Sequence, residues 1–184
     1  MLENLVEVDS FVKLPVAPSV VFTLYKELVQ VFSDKWDVLN SKERIAIASS
    51  LNLNVKYLTR VLKDSDKSLS IAQLFKLCYF FNHDLILTKG KEKIVFSITD
   101  PKFVNDHIVR LNKILFEIIK PVPTNHLAYL SKIQHLSLYN LKDVYITRRN
   151  FVRYMRLLVN FDVSFHLIPK VKVTQMYKEV KNVA

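Results

Sequence analysis

A chain of 184 residues, half of them hydrophobic, with 27 Lys+Arg against 17 Asp+Glu and a net charge of +10, has the apolar content for a packed core and the charge to meet a polyanion. Its single glycine, Gly90, excludes the glycine-rich phosphate loops GxGxxG and GxxxxGK[ST], and with them P-loop and Rossmann enzymes. Its single cysteine, Cys78, excludes an internal disulfide, suits a reducing cytoplasmic setting and reads as a small buried hydrophobe.

The acidic start MLENLVEVDSF lacks the basic leader of a signal peptide. No run reaches the roughly 18 apolar residues of a membrane span. Phe11–Leu14 is a short strand candidate, broken by Pro15 and Pro18. Ser19 is then expected to cap a helix with Val20, Val21, Leu24, Leu28, Val31 and Phe32 at helical spacing. Between 41 and 62 the pattern gives two short helices. Ile45, Ile47, Ala48 and Leu51 cluster in the first; Val55, Leu58, Val61 and Leu62 cluster in the second. Asn52 sits at the break, where the chain needs a residue that tolerates φ > 0. Asn54 is a suitable N-cap for the second helix. A packing helix with Leu74, Leu77, Phe80 and Phe81 follows Ser68-Leu69-Ser70, and Leu85–Leu87 and Ile94–Ile98 read as a hairpin turning at Gly90.

The stretch 41–87 resembles the phage repressor/Cro-like (XRE-type) helix-turn-helix family. The resemblance rests on Ile47-Ala48, Leu51, Leu53, Leu58 and Val61, on the capped helix behind Ser68-Leu69-Ser70, and on the closing Asp84–Leu87. It departs from the family at Asn52, where Gly is usual, and in lacking an acidic residue after Val61. It implies a DNA-binding fold in which the second helix lies in the major groove.

Beyond the hairpin, Asp100-Pro101 has the N-cap and first-position residues of a helix striped by Val104, Ile108, Leu111, Leu115 and Ile118. Helices are expected over Thr124–His135, Leu138–Tyr145 and Thr147–Phe161, then a strand over Val163–Ile168 and a basic helix over Val173–Lys181. This order repeats that of the first half. Ile47 pairs with Leu130, Leu53 with Leu136, Leu58 with Leu141 and Val61 with Val144; Leu77 pairs with Leu157, Phe81 with Phe161 and Leu87 with Leu167. The expected fold is therefore mainly α: two similar helical halves, 1–92 and 93–184, each with a helix-turn-helix-like unit, the second degenerate at 124–168, with short strands and a hairpin between them. Charge is uneven. Residues 1–92 carry 12 Lys+Arg against 11 Asp+Glu, and residues 93–184 carry 15 against 6.

Two basic groups follow. Asn54, Lys56, Tyr57, Thr59, Arg60 and Lys63 project from the second helix toward bases or phosphates, with Lys42 and Arg44 reaching phosphates from the first. Arg148 and Arg149 join Arg153 and Arg156, and the last three fall at i, i+4 and i+7, a phosphate-tracking stripe. The five histidines are scattered, and no CxxC, HxxxH or HExxH spacing or acid/base pairing is present. No metal, cofactor or enzymatic activity is expected. The partner expected is double-stranded DNA, met as a transcriptional regulator, with a homodimer or a pseudo-dimer within one chain. The competing class is an interaction module of a larger assembly that docks through its basic half.

Overall fold

The computed structural model describes residues 15–64, 67–133 and 150–170. They are mostly helical, with one small antiparallel sheet. The expected strand at Phe11–Leu14, the helix Leu138–Tyr145 and the helix Val173–Lys181 lie outside the described residues.

Helix α1 spans Pro18–Asp37 and buries Val21, Tyr25, Leu28, Val29, Phe32 and Trp36. It starts one residue earlier than its expected Ser19 cap. Pro18 takes the first helical position, where the amide it lacks has no helical acceptor. Helix α2 (Ser41–Ser50) opens with a capping box between Asn40 and Glu43. It ends as the sequence foretells: Asn52 sits at φ 55, its N–H donates to the Ser49 carbonyl at 3.0 Å, and the Leu53 N–H donates to that of Ala48 at 2.9 Å. This is a Schellman ending with Asn in the left-handed position. Helix α3 (Val55–Lys63) is capped by Asn54, whose side chain accepts from the Tyr57 N–H at 2.7 Å. Helix α4 (Ile71–Phe80) has a capping box formed by Ser70 and Gln73. Cys78 on it is fully buried, which raises its thiol pKa by desolvation.

Strand β1 (His83–Lys89) turns through Gly90, at φ 58, into β2 (Glu92–Phe96). Strand β1 extends two residues beyond the expected Leu85–Leu87 at each end, and β2 lies two residues earlier than the expected Ile94–Ile98. Asp100 caps, but the turn it opens at Pro101–Phe103 is 3-10, and α5 proper is Val104–Ile119. Helix α6 (Thr124–Ser131) stops at Lys132, at φ 52, short of the expected His135. Helix α7 (Phe151–Leu158) is followed by a 3-10 turn at Val159–Phe161 and by β3 (Val163–Pro169).

The sheet order is β2-β1-β3, all antiparallel. Leu85 and Leu87 of its central strand are buried against a core that runs without interruption from Val21 to Phe165. That core crosses the expected boundary at 92/93, which coincides with the start of β2. Helix α1 packs on α7 and β3, and α4 packs on α5. Buried polar groups cross-link these layers. The Tyr25 hydroxyl accepts from the Leu69 N–H at 2.9 Å. Asn160 accepts from the Val16 N–H at 3.2 Å and donates to the Arg156 carbonyl at 2.7 Å.

Backbone features recur at fixed spacing. Left-handed residues occur at Asn52 and Lys132, and at Asn82 and Asp162, each pair 80 positions apart. Ser70 and Asn150, also 80 apart, each cap a helix and form an antiparallel bridge to one another. In the β1–β3 pairing Ile86 faces His166, again 80 positions on. The buried positions Val21, Tyr25, Leu28, Val29, Phe32 and Trp36 of α1 are matched on α5 by Val104, Ile108, Leu111, Asn112, Leu115 and Ile119, each 83 positions later.

Candidate nucleic-acid interface

Helix α3 is held on α1 by its apolar side and by three polar ties. Leu58, Val61 and Leu62 are buried. The Trp36 indole N–H donates to Thr59 Oγ1 at 2.9 Å, Lys26 Nζ donates to the Leu62 carbonyl at 3.0 Å, and Lys63 Nζ lies 2.8 Å from Asp37 Oδ1. The remaining side of the helix presents Lys56, Tyr57 and Arg60 to solvent, with Asn54 at its start and Lys63, still exposed in its pair with Asp37, at its end. Arg60 pairs with Asp64 at 3.7 Å, both well exposed. Such pairs contribute only about 0–1 kcal/mol, so the guanidinium exchanges partners readily.

Three expected contacts are placed differently. Thr59 faces α1, not the open side. The Trp36 ring is fully buried, its N–H requires an acceptor there, and the Thr59 hydroxyl supplies one while itself donating to the Val55 carbonyl at 2.9 Å. Arg44 turns back along its helix. Its Nε donates to the Trp36 carbonyl at 3.1 Å, its Nη2 to the Asp37 carbonyl at 2.8 Å, and its guanidinium lies 5.8 Å from the Trp36 ring centre. It caps the C-terminus of α1, where the helix dipole favours a cation. Asn54 commits its side-chain oxygen to the cap. Lys42 is exposed, as expected.

The second basic group is also redrawn. Asn150 has extended backbone and caps Val152, so the helix starts at Phe151 and not at Thr147. Arg148 and Arg149 lie outside the described residues; of the expected i, i+4, i+7 stripe, Arg153 and Arg156 are described. Phe151, Val152, Tyr154, Met155, Leu157 and Leu158 are all buried; Arg153 is the one exposed residue of α7.

The fold brings together two groups that the sequence keeps apart. Tyr57 of α3 and Arg153 and Arg156 of α7 line one cleft of about 240 Å³, with Phe22, Lys67, Ser68, Asn150 and Val152 completing it. Lys67 was not singled out by sequence and Ser68 entered only in the run ahead of the capped helix, neither as a contact, because they sit in a connection with no periodicity. Their nearness to the Ser70 cap, which bridges to Asn150, is the one local signal that places them.

Among the described residues no group of three or more His, Cys, Asp or Glu is arranged to hold a metal ion, and no helix is long and apolar enough to cross a membrane. Comparison with protein-family models, curated protein sequences and solved structures yields no match.

Proposed function

We propose that this protein binds double-stranded DNA through a helix-turn-helix unit, α2–α3, and acts as a transcriptional regulator. One observation carries the reading. Helix α3 follows a tight left-handed turn at Asn52, is anchored by Leu58, Val61 and Leu62, and leaves Lys56, Tyr57, Arg60 and Lys63 exposed as a continuous donor-rich face. A helix so mounted fits the major groove, with Arg60 and Tyr57 toward base edges and Lys42, Lys56 and Lys63 toward phosphates. The net charge of +10 supports the same partner.

The chain also reads as a duplicated unit, a pseudo-dimer in one polypeptide. Recurrence of capping residues, left-handed residues and buried positions at 80 and 83 residues supports this. So does the β1–β3 register, which is symmetric about Ile86 and His166. The spacing of Asn52 and Lys132 favours Leu127, not Leu130, as the counterpart of Ile47, with Ala128 opposite Ala48. The three-residue difference between the two spacings then falls between α5 and α6. A chain of this kind reads an imperfect palindrome or two direct half-sites as a monomer.

Gel-shift titration against random and genomic duplexes tests both statements. The expected result is a preferred site bound by one chain, with affinity falling steeply with salt. Arg60→Ala relaxes the sequence preference, whereas Arg153→Ala weakens all duplexes about equally. Absence of any duplex binding sinks the regulator reading and favours the interaction-module class. A stoichiometry of two chains per site sinks the pseudo-dimer.

A further inference from the structure

The cleft between α3 and α7 has a composition that asks for an anion. Lys67, Arg153 and Arg156 line it together with the donors Tyr57, Ser68 and Asn150, and no acidic residue is among the described residues that line it. Arg156 is the telling member. It is half-buried, its guanidinium carbon sits 5.6 Å from the Phe22 ring centre, and its Nε is buried with no acceptor among the described residues. An aromatic face offsets part of the desolvation of a guanidinium, but a buried N–H on a charged group that finds no acceptor is strongly unfavourable. An anion in the cleft, which Arg156 lines, supplies a counter-charge beside this side chain. Arg153, one turn earlier on the same side of α7, makes no ion pair among the described residues. The two guanidinium groups suit the oxygens of a tetrahedral phosphate, which accepts forked N–H donors well. The volume of about 240 Å³ is that of roughly eight waters, enough for a phosphate group with part of its hydration.

We infer that this cleft is a phosphate seat, formed jointly by Arg153 and Arg156 of α7 and by Tyr57, Lys67 and Ser68 beside α3. Its occupant is a backbone phosphate of the duplex lying against α3, a statement that rests on the proposed DNA-binding function. Tyr57 belongs both to the exposed face of α3 and to the wall of the cleft, so a strand followed from the groove reaches the seat directly. The seat makes the basic half contribute affinity at the position where the other half reads sequence. It also fixes the distance between those two contributions through the Ser70–Asn150 bridge.

The test uses the full chain with Arg156→Gln and, because Arg153 is exposed and its loss leaves the core intact, Arg153→Gln. Where duplex binding occurs, the slope of log affinity against log salt is measured on a random duplex. Each variant is expected to lower the magnitude of that slope by about 1, while Arg60→Gln leaves the seat filled and changes chiefly the preferred sequence. Wild-type slopes in both cleft variants overturn the seat. If no duplex is bound, the proposed function fails, and thermal melting with inorganic phosphate, against chloride at equal ionic strength, decides the cleft alone. Phosphate raising the midpoint of the wild type but of neither variant then supports a seat for a free phosphorylated ligand. Equal stabilisation of all three proteins, or of none, overturns it.

Discussion

Thr59 gives the sharpest test of how α3 is mounted. Its hydroxyl is the acceptor for the Trp36 N–H at 2.9 Å, and Trp36 is fully buried. Thr59→Val keeps the shape of the side chain and removes the acceptor. The indole N–H then has no partner in a site that water does not reach. The penalty for a buried unsatisfied donor is about 1–3 kcal/mol. In a chain of this length about 2 kcal/mol corresponds to a fall in Tm of roughly 4–8 °C. Urea unfolding followed by fluorescence reads the change directly, because Trp36 is the only tryptophan. The decisive measurement is a double-mutant cycle with Trp36→Phe, followed by far-ultraviolet circular dichroism. With the indole N–H gone, Thr59→Val is expected to be nearly neutral, so the coupling is of order 1–2 kcal/mol. Equal destabilisation in both backgrounds refutes the hydrogen bond as the cause. At a temperature where the variant is folded, its duplex affinity stays at the wild-type value. A large loss there returns Thr59 to the groove face.

Three further outcomes are expected. Asn52, at φ 55, tolerates Gly with unchanged or slightly higher stability, whereas Asn52→Ala lowers it by about 1 kcal/mol, read from urea midpoints. His83 is buried, with its Nδ1–H donating to the Phe81 carbonyl at 2.7 Å, and its pKa is held below 6.5 by desolvation above all, with Lys35 and Lys170 adding and the Phe81 bond and Asp84 opposing. His107 shifts the same way, through desolvation and then Arg110 and Lys170, against Asp106. The unfolded chain therefore binds protons first, so stability present above pH ~6.5 is lost as pH falls from there through the lower folded values. Tm measured from pH 7.5 to 5 declines, and the pair His83→Gln/His107→Gln flattens the decline; an unchanged profile refutes the assignment. Cys78, buried and with its pKa raised by desolvation, is unreactive toward a thiol reagent in the native protein and reacts on unfolding; rapid native labelling contradicts its position in the core.

The sequence by itself determined the elements whose signals are local. Asn52, Asn54, Ser70, Asp100 and Gly90 mark turns and caps because their short side chains, or the lack of one, solve a backbone problem within four residues of themselves. The 3.6-residue spacing of Val55, Leu58, Val61 and Leu62 marks α3 because one side of the helix must leave water. Where local signals compete, boundaries moved: Pro18 took the helix start from Ser19, and Asn150 cut α7 short of Thr147. Only tertiary structure decided where polar side chains point. Thr59 and Arg44 looked like groove and phosphate contacts because sequence reports what a side chain can donate, not which neighbour needs it. The buried Trp36 indole claimed one, and the C-terminal carbonyls of α1 claimed the other. Tertiary structure also set the strand order β2-β1-β3 and brought Tyr57 beside Arg153 and Arg156, nearly a hundred residues away in the chain. No periodicity spans such a distance. It is bridged by α1, which carries α3 and α7 on its length and so joins two separate basic segments into one cleft.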